Sequence, residues 1–225
     1  MPLRVGLGRQ LFCIIASAVA ACAGFAQSAQ AHPHVWATVR SEIVFGPDHK
    51  ITGIRHAWTF DEFYTAMAVQ GLDADGDGVY TKEELEPLAK VNVESLKEFD
   101  YFTYVRLGED EKPLPLKEPI DYWVDYDEGL LTLHFTLPLA DPLDPKQQVA
   151  LDVYDPSYFV AFGFATEAPV KLAGAASGCA AEIEKPDAQT EADAKALSEA
   201  FFSQLGPGSN FGSQFAQTAI VKCTP

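Results

Sequence analysis

Apolar and polar residues alternate along most of this chain with a period of two, as they do in strands that bury one face. Ile120, Tyr122, Val124 and Tyr126 fall on one side, and Asp121, Trp123 and Asp125 on the other. After the turn residues Asp127-Glu128-Gly129, Leu131, Leu133, Phe135 and Leu137 resume the alternation, so the pair reads as a hairpin. Comparable stretches predict strands at 35–46, 50–59, 101–108, 147–154, 157–166, 179–184 and 216–223, with turns at the Asp-Pro pairs that begin at Asp141, Asp144 and Asp155. Short strands and tight turns in this number predict an α+β, mainly β fold, an antiparallel β-sandwich rather than a parallel sheet.

Two regions leave that rhythm. Leu197, Phe201 and Leu205 recur every four residues, Thr190 stands where a cap would and Gly206 where a helix would end, which predicts a C-terminal helix over 190–205. Residues 60–99 predict a helix-loop-helix inserted into the β framework. Thr59-Phe60-Asp61-Glu62 has the form of a capping box ahead of one helix, and Thr81 with Glu84 that of another ahead of the second.

Between those helices runs LDADGDGVYTKEEL. With Asp73 as first position, Asp75 is third, Asp77 fifth, Gly78 sixth, Val79 seventh, Thr81 ninth and Glu84 twelfth, the order of an EF-hand calcium loop. The spacing follows from the ion. Calcium takes six to eight hard oxygens, which three Asp carboxylates, the Val79 carbonyl, both oxygens of Glu84 and Thr81 or a water supply, while Gly78 permits the bend. The competing reading is an acidic turn that binds nothing. No second loop of this kind is present to pair with it, which favours a stabilising role over a cooperative sensor.

Charge narrows the partners. Of 225 residues, 48% are hydrophobic, enough for a packed core, and 32 acidic against 16 basic residues leave a net charge of −16. Such a surface repels phosphate backbones and attracts cations, which argues against nucleic acid as a partner.

The first 31 residues read as a signal peptide for export to the periplasm: Arg4 and Arg9, then the apolar run Leu11–Ala21, then Ala29-Gln30-Ala31 as a cleavage motif. The run is too short to span a bilayer. Cleavage after Ala31 makes His32 the first residue of a single domain, 32–225; the alternative is a lipoprotein anchored at Cys22, after Val19-Ala20-Ala21. Either way Cys179 and Cys223 stay together in an oxidising setting, where a structural disulfide is the simplest outcome. Neither has the C-x-x-C spacing of a redox or metal pair.

The blocks AHPHVW, WTFDEFYTAM, LDADGDGVYTKEEL, FDYFTYVRL, LHFTLPL and VYDPSYFVAF occur in the order of a bacterial exported family, domain-of-unknown-function family 1007. The resemblance covers most of residues 31–166 and Cys179. Members are labelled the periplasmic component of an uncharacterised ABC-type transport system and are linked to nickel, cobalt or zinc transporters. The resemblance therefore implies a role in divalent-metal handling and a membrane metal transporter as partner.

That implication bears on HPHVW. Pro33 pushes His32 toward an extended conformation, so His32 and His34 can project on one side of a starting strand and share an ion. A free amine at His32 adds a third nitrogen, a donor set suited to zinc, nickel or copper. The bland alternative is an exposed pair at the start of the first strand. His134, His56 and His49 read as strand or turn positions, each able to complete a site only through the fold.

No Ser-His-Asp ordering and no H-E-x-x-H motif is present, so the chain does not read as an enzyme. The enzymatic alternative is copper redox chemistry at His32, with Asp152, Tyr154, Asp155 and Tyr158 as a polar-aromatic cluster around a turn. The leading expectation is a periplasmic calcium-binding accessory protein of a divalent-metal transport system. The alternative is a calcium-stabilised interaction module with no transition-metal site.

Overall fold

The computed structural model describes residues 33–108, 112–190, 201, 204–205 and 208–224. The expected signal peptide with Cys22, His32 and most of the expected C-terminal helix lie outside the described residues. The chain runs β1 (Val35–Phe45), β2 (Ile51–Phe60), α1 (Glu62–Ala68), α2 (Lys82–Leu96), a 3₁₀ segment (Lys97–Phe102), β3 (Thr103–Leu107), β4 (Ile120–Asp127), β5 (Leu130–Leu143) and β6 (Val149–Val153). β7 (Val160–Phe164), β8 (Val170–Ala173), β9 (Cys179–Glu184), a 3₁₀ turn (Phe211–Phe215) and β10 (Thr218–Cys223) complete it. The fold is mostly β.

Alternation explains the strands. In β1, Val35, Ala37, Val39, Ser41, Ile43 and Phe45 point inward while their neighbours face out, and β5 repeats the pattern through Leu131, Leu133, Phe135, Leu137 and Leu139. One sheet has the order β4-β5-β2-β1-β7, with β8 also on β1; the second has the order β3-β6-β10-β9. A single buried cluster draws on both sheets: Val39, Ile54, Trp58, Phe135 and Leu137 from the first, and Val105, Leu151, Val153, Ala219 and Val221 from the second.

The expectation of purely antiparallel strands is corrected here, because β1 pairs in parallel with β7 and with β8. Alternation reports which face of a strand is buried and says nothing of the direction of its neighbour. The turn expected at Asp141-Pro142 is also absent: β5 continues to Leu143, with its pairing to β2 shifting between Ile51 and Gly53. In β4, the alternation breaks where Asp121 takes a left-handed conformation (φ 50°), so Ile120 and Tyr122 are exposed although Val124 is buried.

His56 lies in the core, fully buried beside Trp58 and Phe135. Its Nδ1 lies 3.0 Å from the Ser41 hydroxyl of β1, and its Nε2 lies 3.3 Å from the Thr103 hydroxyl of β3, so one ring links the two sheets. Thr103 donates its proton to the Tyr101 carbonyl oxygen at 2.8 Å and must accept from the ring. The hydrogen therefore sits on Nε2, and Nδ1 accepts from Ser41. Burial pushes the His56 pKa down to about 3, keeping the ring neutral.

Candidate metal centre

The helix-loop-helix of residues 60–99 rests against β4 and β5. The N-cap of α1 is Asp61, whose Oδ1 accepts from the Phe63 and Tyr64 N–H groups, and not Thr59. Thr59 stays in β2, where its hydroxyl bonds to that of Thr132 at 2.9 Å, so the capping box expected at Thr59–Glu62 does not form. The only buried residue of α1, Thr65, accepts from the Leu131 N–H of β5. In α2, Leu85, Ala89 and Val93 recur every four residues as a buried stripe. Tyr64 donates to Asn92 Oδ1 at 3.2 Å, joining the two helices, and Tyr80 lies against Tyr126 of β4.

The loop between the helices is folded around its own carboxylates. Asp73 accepts from the Gly76 N–H through Oδ1 at 2.8 Å and from the Gly78 N–H through Oδ2 at 3.0 Å. Asp75 and Asp77 accept from the N–H groups of Asp77 and Val79. Gly78, at φ 80°, takes the left-handed conformation that its position in the pattern demands. The Thr81–Glu84 capping box forms as expected.

Glu84 closes the loop. Its Oε2 accepts from the Thr81 N–H and hydroxyl, and its Oε1 from the Ala74 N–H at 2.8 Å. The Thr81 N–H, then that of Ala74, hold its carboxyl below the usual carboxylate range. Carboxylate oxygens of Asp73, Asp75 and Glu84 all lie within 4.8 Å of one another, and no other such group of three metal-capable side chains occurs among the described residues. Asp73 Oδ1, Asp73 Oδ2 and Glu84 Oε1 each accept one of these hydrogen bonds and keep a lone pair, Glu84 Oε2 already accepts two, and an all-carboxylate set suits a hard cation. Asp77 stands outside that close group, Thr81 is engaged with Glu84, and Val79 is 61% exposed.

The four histidines among the described residues do not converge. His34 is exposed at the start of β1, its N–H donating to the Phe159 carbonyl oxygen and its ring 4.7 Å from that of Phe159. His49 sits in the β1–β2 turn at φ 60°. His134 Nε2 lies 2.9 Å from Asp125 Oδ2, and its ring stacks on Trp123. His56 is the residue that sequence reasoning undervalued. The signal was available in the alternation, which puts it on the inward face of β2 with Ile54 and Trp58.

Cys179 and Cys223 form the expected disulfide, directly opposite each other on β9 and β10. Of the polar-aromatic cluster around the Asp155 turn, Asp155 is spent on that turn: its Oδ1 accepts from the Ser157 N–H and hydroxyl, and its Oδ2 from the Val160 N–H. Tyr158 packs on Phe215, while Asp152 and Tyr154 face a cleft. Among the described residues, no helix is long and apolar enough to cross a membrane.

The family model described as "Protein of unknown function (DUF1007)" matches residues 17–223. The chain is 26% identical over 196 residues to an uncharacterized protein of Haemophilus influenzae, covering 86% of this chain and 91% of that protein. It is 34% identical over 104 residues to an uncharacterized 15.5 kDa protein in the trpE 3'region of Spirochaeta aurantia, covering 46% of this chain and 73% of that protein.

Proposed function

The chain belongs to the DUF1007 family, and from that premise we propose that it is an exported calcium-binding accessory protein of a divalent-metal transport system. In this reading the two sheets form a sandwich, and residues 60–99 are an EF-hand-like insertion whose ion is held by Asp73, Asp75, Asp77, the Val79 carbonyl and Glu84, with Thr81 or a water completing the shell. The observation that carries the reading is the convergence of Asp73, Asp75 and Glu84 at one end of α2, on a loop whose N–H groups already hold the carboxylates in place. Calcium neutralises that cluster and braces α1 and α2 against β4 and β5. An isolated site of this kind binds with a dissociation constant of about 10⁻⁴ to 10⁻³ M, which makes the ion a structural one outside the cytoplasm.

Calcium is expected to raise the melting temperature of the parent and to leave that of Glu84→Ala unchanged. An equal rise in both would place the ion elsewhere.

The transport role rests on the family resemblance and on His34, exposed where β1 starts. His32 and His34 are proposed to hold zinc, nickel or copper for a membrane transporter. Titration of the mature protein and of a His32→Ala, His34→Ala double variant with these metals decides it. Loss of most affinity in the variant supports the reading, and equal binding favours an interaction module stabilised by calcium alone.

A further inference from the structure

We propose that a cleft on the outer face of the second sheet binds a small organic acid carrying a single carboxylate, with Arg106 as the anchoring residue. The cleft has a volume of about 760 Å³, within the range of small-molecule sites, and belongs to neither the calcium loop nor the histidines. Its floor is Tyr104 and Arg106 of β3, Asp152 and Tyr154 around β6, and Thr218 of β10; Asn210 stands in its wall.

This face is covered along β6. β6 is buried at all five positions, Leu151 and Val153 toward the core and Asp152 on the opposite side. The segment that crosses above Asp152 is pinned by Gly212, whose N–H donates to the Pro156 carbonyl oxygen at 2.8 Å. A Cβ at Gly212 would overlap the Asp155 carbonyl oxygen, so only glycine lets the wall approach this closely.

The polar groups inside are arranged unequally. Arg106 gives Nε and Nη2 to Asp152 Oδ2 at 2.9 and 2.7 Å, and the Thr218 hydroxyl takes Asp152 Oδ1 at 2.6 Å. Asp152, with its side chain 8% exposed, is thus bonded at both oxygens and neutralised. Arg106, with its side chain 32% exposed, keeps Nη1 without a hydrogen-bond partner among the described residues. In a chain of net charge −16, a guanidinium edge fixed by a buried carboxylate and left open toward a cleft is suited to an anionic oxygen of a ligand.

The rest of the cleft limits that ligand. Tyr104 and Tyr154 stack at 4.4 Å and supply an aromatic surface for a flat or apolar body, with Asn210 also lining the cleft. Arg106, the only cation lining the cleft among the described residues, already shares its charge with Asp152, so a ligand bearing more than one negative charge, such as a phosphate or a dicarboxylate, is disfavoured.

Benzoate, benzamide and inorganic phosphate serve as probes on the full mature chain, read by the NMR signals of Tyr104 and Tyr154. Benzoate at millimolar concentration is expected to shift them saturably, and the uncharged benzamide and phosphate to leave them in place. Arg106→Gln should weaken benzoate binding about tenfold or more. Because that variant also strips Asp152 of its partner, a second test uses Ser209, which also lines the cleft: Ser209→Trp fills the cleft, leaves the ion pair intact, and should abolish the response. The proposal is overturned by no response to benzoate, by an equal response to benzamide, or by a response that survives in folded Ser209→Trp.

Discussion

Acidification from about pH 7 to about pH 5 is expected to remove about 2 kcal/mol of folding stability through His56 alone. The folded ring resists protonation until about pH 3, whereas the unfolded chain takes up the proton near the ordinary imidazole value of 6.5. Stability from the neutral ring is therefore complete above about 6.5 and declines by about 1.4 kcal/mol per pH unit down to about 3. The hydrogen-bond pattern gives the same sign. Nδ1 accepts from Ser41, so a cationic ring would turn an N–H toward a hydroxyl that now donates to it, in a pocket walled by Trp58 and Phe135. Urea unfolding of the parent and of His56→Gln at the two pH values checks it. The variant keeps a donor and an acceptor and cannot titrate in this range, so its stability should change far less than the parent's. A parent equally stable at both values would contradict the assignment.

Loss of the Cys179–Cys223 bridge is the other large effect. The two cysteines are 44 residues apart, and the chain-entropy contribution of closing a loop of that length is about 4 kcal/mol. Position adds to the argument. Among the described residues, β9 is the edge strand of its sheet and pairs only with β10, whose other side is held by β6. A Cys179→Ser, Cys223→Ser double variant should therefore unfold at markedly lower urea concentration, with hydrogen-exchange protection lost first in β9 and retained longer in β6. Coincident unfolding curves for parent and variant would show that the bridge adds no stability.

Much of this fold was legible in the sequence because strand burial is a local property. Cys179–Glu184 appears with the bounds that its alternation predicts, and the hairpin at Asp127-Glu128-Gly129 turns where expected. The direction of β7 and β8 was not legible, since parallel pairing with β1 depends on chain more than a hundred residues away. At the candidate metal centre, the pattern from Asp73 to Glu84 named the residues that converge, since the loop carries its ligands in one continuous stretch. The cleft was half visible: Asp152 and Tyr154 stood out, but the partner that gives Asp152 its meaning is Arg106, 46 residues earlier on β3. Asp155 drew notice for its chemistry and serves the turn.

Backbone NMR during a calcium titration tests the proposed calcium site, the loop from Asp73 to Glu84, residue by residue. The amides of Gly76 and Gly78 donate to the Asp73 carboxylate, so an ion on that carboxylate must change their shifts. One saturable transition is expected, with a dissociation constant of about 10⁻⁴ to 10⁻³ M, centred on residues 73–84 and missing in Glu84→Ala. Shifts centred on another part of the chain, or a loop that does not respond to calcium, would contradict it.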